Sequence, residues 1–304
     1  MADTSQPFRE IFFTSRDGLK LHARQYFAAF DDRSGRRPVL CLPGLSRNGR
    51  DFHALALALA QTETGPRDVY TLDSRGRGLS QSDPVWENYS VPIEMLDVLD
   101  FMTAAGLHGA SIIGTSRGGL ITMLMAAAQP SAIGPVVLND IGPVIEPKGL
   151  SRIAAYVGRI PLPGTWPDAA RLVAEMSQRA FTAVPEDEWE DIARQWFNER
   201  KGKPAPGYDV AIANAFSVLD GPVPTLWPQF EALKRVPLLV LRGENSDILS
   251  AETVDEMRRR HPAFTSVTVR AEGHAPLLRD APTIEAVRRF LAATDERGGM
   301  ARVA

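Results

Sequence analysis

Short runs rich in Val, Ile and Leu recur along the chain, and most are followed by a stretch whose apolar positions repeat at helical spacing. The first two runs, residues 10–15 and 19–28, depart from that rule. They flank Arg16-Asp17-Gly18, and an Asp-Gly step between two strand-like runs predicts a hairpin and hence an antiparallel edge. Four apolar runs then alternate with helical patterns, at 38–42, 68–72, 111–113 and 135–138. Two more lie late in the chain, at 237–241 and 266–269, with helices expected over 251–260 and 283–293. Alternation of this kind predicts an α/β protein: a mostly parallel, eight-stranded sheet flanked by helices.

The alternation stops between residues 142 and 228. Leu172, Val173, Met176 and Ala180 repeat at helical spacing, as do Trp189, Ile192, Ala193 and Trp196, so at least two amphipathic helices are expected here, bounded by prolines and glycines. Residues 1–141 and 229–304 are thus expected to form one core, interrupted after its sixth strand by a helical insertion over 142–228.

Composition narrows the class without changing the fold. The 304 residues are 44% hydrophobic and 23% charged with a formal net charge of −3, which is ordinary for a globular protein. No basic face suggests nucleic acid or an anionic membrane, and no apolar run approaches the ~18 residues of a membrane span. Met1–Gln6 lacks the basic and apolar regions of a secretory signal, so the cytoplasm is the expected location. The single cysteine, Cys41, lies in an apolar run and is expected to pack as a small buried hydrophobe. No G-x-G-x-x-G, P-loop or H-E-x-x-H pattern occurs, so neither a cofactor nor a metal is expected. Oligomeric state leaves no mark on the sequence.

The chemistry concentrates in Gly114-Thr115-Ser116-Arg117-Gly118, a G-x-S-x-G pentapeptide between an apolar strand and an apolar helix. A serine on such a turn takes strained dihedrals, and glycines stand where a Cβ would clash. The helix then directs its N-terminal amides at the reacting group. Serine needs a base, and of the five histidines only His274 lies in a loop between the last strand and the last helix, at the rim where parallel strands end. The base needs an acid. Asp247, in the loop after the preceding strand, completes the chain order Ser, Asp, His; Asp140 at the end of the fourth parallel strand and Glu244 remain alternatives. Two oxyanion donors are expected: the Arg117 amide and, in the loop after the first parallel strand, the Leu45 amide beside Gly44.

Together these motifs resemble the α/β-hydrolase superfamily over nearly the whole length. Asp73-Ser74-Arg75-Gly76-Arg77-Gly78-Leu79-Ser80 is similar to the D-x-R-G-x-G-x-S loop of that family, where it is structural. Two departures stand out: Pro43-Gly44 where many relatives carry His-Gly, and a charged Arg117 where the family is more often uncharged. The resemblance implies that the insertion is a cap, and a serine nucleophile argues against the carboxylate-dependent dehalogenases and epoxide hydrolases. It implies a serine hydrolase acting on a small-molecule carboxylic ester or lactone. Carbon–carbon bond hydrolysis of meta-cleavage-type diketones by the same triad is an alternative, as is a receptor that only binds ligand. Trp166 and Trp189 in the insertion, with Arg47 and Asn48 near the nucleophile, are the candidate substrate contacts.

Overall fold

The computed structural model describes residues 7–29, 36–216 and 224–300. Met1–Gln6, on which the expected location rests, lies outside them. Strands β1 (Arg9–Thr14) and β2 (Lys20–Tyr26) form the expected hairpin, Thr14 opposite Lys20, with Gly18 at φ 92° in the turn. The other strands of the large sheet are β3 (Val39–Leu42), β4 (Val69–Asp73), β5 (Ala110–Thr115) and β6 (Ile133–Asn139), then, beyond the small hairpin of β7 (Asn198–Arg200) and β8 (Lys203–Ala205), β9 (Leu238–Gly243) and β10 (Phe264–Val269). The order is β1-β2-β4-β3-β5-β6-β9-β10. Within this sheet, among the described residues, only the β1–β2 and β2–β4 pairings are antiparallel, so it is mostly parallel and eight-stranded.

Burial on both faces explains why these strands read as unbroken apolar runs. Successive residues point to opposite sides, so Leu40, Leu42, Ile112, Val136, Leu138 and Val240 enter one core cluster while Val39, Cys41, Ile113, Val137, Leu239 and Leu241 enter the other. Helices α1 (His53–Ala60) and α9 (Ala281–Met300) supply the second cluster; α2 (Val91–Ala105), α3 (Arg117–Ala128) and α8 (Ala251–Arg260) supply the first. Cys41 is fully buried, and burial pushes its thiol well above the ordinary range. Strand order reverses around β3, which lies between β4 and β5. In a parallel sheet such a switch point opens a crevice at the carboxyl ends of the strands.

The insertion between β6 and β9 holds α4 (Pro147–Tyr156), α5 (Trp166–Ser177), α6 (Trp189–Trp196) and the β7–β8 hairpin. It is therefore not purely helical, and it is not packed as one unit. Trp166, Ala169, Val173, Trp189, Ile192 and Phe197 share a separate apolar cluster, whereas Ile153 and Val157 at α4, with Ile212, join the main core. Helix α7 (Trp227–Glu231) straddles the expected boundary at residue 228, and its Phe230 is fully buried in the main core. No helix among the described residues is long and apolar enough to cross a membrane.

Candidate active site

The turn from β5 into α3 is as tight as the pentapeptide requires. Ser116 sits at φ 50°, ψ −113°, a conformation costly for a residue with a Cβ. A Cβ on Gly118 would lie 2.1 Å from the Leu42 carbonyl oxygen, and one on Gly114 2.7 Å from the Gly118 backbone, so neither position admits a side chain. The Ser116 amide donates to the Asn139 carbonyl, 3.0 Å, which fixes the turn to β6.

Ser116 Oγ lies 2.8 Å from Nε2 of His274, and Nδ1 of His274 lies 2.8 Å from Oδ2 of Asp140. The acid side of this line differs from the expectation. Asp140, not Asp247, meets the histidine. Asp140 is fully buried at the end of β6 with φ 54°; it also accepts from the Gly243 amide at 2.8 Å and from the Ser246 hydroxyl at 2.6 Å. Those donors, with His274, fix the orientation of the buried Asp140 side chain. Asp247 instead receives Nε and Nη2 of Arg152 on α4, at 2.6 and 2.7 Å, a bidentate pair at the cavity wall. Burial alone would raise the Asp247 carboxyl, but the Arg152 guanidinium outweighs it and holds it below the usual carboxylate range. Glu244 accepts from the Ala271 amide at 2.8 Å and serves the loop.

The loop after β3 passes close to the nucleophile: a Cβ on Gly44 would lie 3.8 Å from that of Ser116. It places Leu45 on the wall of the cavity with Ser116 and His274. Arg117 opens α3, so its amide has no intrahelical acceptor. The Arg117 side chain turns away, to Glu94 Oε2 at 2.6 Å and the Tyr89 carbonyl at 2.8 Å.

Above the serine lies a cavity of about 1100 Å³, walled by the core loops and by Tyr156, Phe181, Trp189, Ile192 and Trp196 of the insertion. The four candidate substrate contacts divide. Trp189 and Arg47 line it, but the Arg47 guanidinium is held by Asp51 at 2.8 and 2.5 Å and stacks on Trp196, 4.3 Å from the ring centre. Asn48 is fully buried; it caps the following turn and donates to the Gln195 carbonyl at 2.9 Å, a tie between core and insertion. Trp166 packs inside the α5–α6 cluster beneath Arg194, off the cavity wall. Arg152 and Tyr156 of α4 on the wall are not singled out by the sequence, because a helical pattern does not reveal which loop its polar face meets. Among the described residues, no group of three or more His, Cys, Asp or Glu side chains could hold a metal ion.

An open parallel sheet with a strained serine elbow and a bonded histidine at its switch point defines a hydrolase scaffold. The chain belongs to the alpha/beta hydrolase family, whose model matches residues 39–286. It is 31% identical over 281 residues to a 3-hydroxybutyrate-oligomer hydrolase of Cupriavidus necator, covering 88% of this chain and 92% of that one. It is 25% identical to the esterase YbfF of Escherichia coli, over 90% of this chain and 99% of that one. Among solved structures, an alpha/beta hydrolase from Novosphingobium aromaticivorans superposes with a TM-score of 0.85 at 41% identity, covering 94% of this chain and 98% of that one.

Proposed function

We propose that this protein is a serine hydrolase that cleaves a carboxylic ester or lactone through an acyl-enzyme, with Ser116 as nucleophile, His274 as general base and Asp140 as the acid that orients it. The observation that carries this reading is the continuous hydrogen-bonded line Ser116–His274–Asp140 opening into a cavity of about 1100 Å³. Relatives described as an esterase and as a hydrolase of hydroxybutyrate oligomers favour an ester as substrate.

With Nδ1–H donated to Asp140, Nε2 is the free base and takes the Ser116 proton as Oγ attacks the acyl carbon. The Leu45 and Arg117 amides receive the oxyanion. The imidazolium, hydrogen-bonded to the Asp140 side chain, then protonates the leaving alkoxide. Water, deprotonated by the same histidine, attacks the acyl-enzyme, and collapse of the second tetrahedral intermediate frees the acid and restores Ser116. We infer that the insertion acts as the cap, its aromatic wall selecting the acyl or alcohol group.

A fluorophosphonate probe followed by mass spectrometry should place the label on Ser116, and Ser116→Ala should take none. Turnover of p-nitrophenyl esters of graded chain length should vanish in the same variant. A wild type that neither takes the label nor hydrolyses any of these esters would leave the fold to a binding role.

A further inference from the structure

The D-x-R-G-x-G-x-S loop has no part in the mechanism above, yet its Arg77 is among the largest fully buried side chains. Arg77 Nε donates to the Leu45 carbonyl at 2.7 Å, and Nη1 donates to the Arg75 carbonyl and to Glu94 Oε1, each at 2.7 Å. Glu94, on α2 and 1% exposed, gives its other oxygen to Arg117 Nε at 2.6 Å. One buried carboxylate therefore ties the residue that carries one oxyanion donor to the arginine that holds the loop carrying the other.

We propose that Arg77, braced by Glu94, is a positioning residue for the oxyanion site: it fixes the Leu45 backbone so that the Leu45 and Arg117 amides converge on one point beside Ser116. This rests on the serine-hydrolase reading above.

The argument is geometric. A trans peptide is planar, so its N–H points opposite its C=O. The Gly44 carbonyl accepts from the Arg47 amide at 3.2 Å, which sets the plane bearing the Leu45 N–H; the Leu45 carbonyl accepts from Arg77, which sets the next plane. Both planes flanking Leu45 are thus pinned, and the second depends on a side chain. Stability alone accounts poorly for such a group. Two guanidiniums share one carboxylate out of water, and Arg77 Nη2 is buried without a hydrogen-bond partner. Buried ion clusters of this kind are often matched or bettered by apolar packing. Arg117, unusual for the family at its position, has the same explanation: its side chain completes the Glu94 bridge and does not face substrate.

The test is Arg77→Lys, which keeps a cation for Glu94 but cannot span to the Leu45 carbonyl as the guanidinium does. Rates are read per active site titrated with the fluorophosphonate, so misfolded protein drops out. Because donors to an oxyanion act in the transition state, kcat and the rate of Ser116 phosphonylation should fall together, about tenfold, with KM within about twofold of wild type. Arg77→Met, used where its circular dichroism matches wild type, should lose more. A lower melting temperature with unchanged kcat and phosphonylation rate per site would overturn the proposal and leave Arg77 a packing residue. An unlabelled, inactive wild type would instead remove the serine-hydrolase reading, and this inference with it.

Discussion

At the scale of single residues, the two aspartates make opposite predictions. Asp140→Asn loses the anion that stabilises the imidazolium and can present an amide N–H to Nδ1, which favours the wrong tautomer. On the pattern of triads generally, kcat should fall by about 10³–10⁴-fold. Asp247→Asn should stay within about tenfold of wild type, since its carboxylate is hydrogen-bonded to Arg152 and acts on His274 only through space, whereas Asp140 meets Nδ1 directly. Steady-state turnover of one ester by both variants decides between them, and a greater loss in Asp247→Asn would restore the sequence-based assignment. That Ser116 and His274 come together was legible, because each sits in a motif whose flanking strand and helix could also be read. Which aspartate meets the histidine was not. Strands β6 and β9 are neighbours in the sheet, so the loops after both deliver an aspartate to the same rim. What separates them is Arg152, 95 residues away from Asp247 in an insertion whose docking no local pattern encodes.

At the scale of elements, the strands matched the apolar runs to within a few residues, because burial on both faces leaves an uninterrupted signal, whereas α9 runs seven residues past its expected end at 293. The β7–β8 hairpin escaped notice for a physical reason. Its strands are three residues each, polar and interrupted by Pro204, and the turn is Lys201-Gly202, with φ 52° and 74°, where an Asn-Gly or Asp-Gly pair would have announced it. The loop from β10 to α9, which delivers His274, contains a further group that sequence did not mark. Glu272 is buried there, its Oε2 accepting from the Leu277 amide at 2.7 Å, and burial pushes its carboxyl up from 4.5 to about 7. A carboxyl raised in the folded state binds its proton more tightly folded than unfolded. Its contribution to stability is full below pH 4.5 and is lost as pH rises towards about 7. Glu272→Gln, which resembles the protonated form, should abolish that loss, worth about 3 kcal/mol. Urea unfolding from pH 4.5 to 8 should show wild type and variant equal at the acid end and wild type weaker at the alkaline end. Parallel profiles would mean that Glu272 is solvated.

At the scale of the whole molecule, the loop after β3 joins the two halves of the site. Leu45 is the residue proposed to carry one oxyanion donor, and a few residues on, Asn48 and Arg50 grip the end of α6: Arg50 Nη2 reaches the Gln195 and Phe197 carbonyls at 3.3 and 3.1 Å. Carbonyls at a helix C-terminus lack intrahelical donors, so these bonds complete α6 while fixing it to the core. The same helix supplies Trp189, Ile192 and Trp196 to the cavity wall and shares its apolar cluster with α5, apart from the main core. Loosening this tie should let the wall move without disturbing the line Ser116–His274–Asp140. Arg50→Ala is therefore expected to keep kcat/KM for an acetyl ester within about threefold, while kcat/KM for long-chain esters changes by about tenfold, as poor positioning of a remote group does. Hydrogen exchange in residues 189–197 should quicken in the same variant, because opening there no longer breaks the two bonds to the core. Equal effects on short and long esters would show that the tie supports the catalytic loop itself, and exchange unchanged from wild type would show that the α5–α6 cluster holds the wall in place without it.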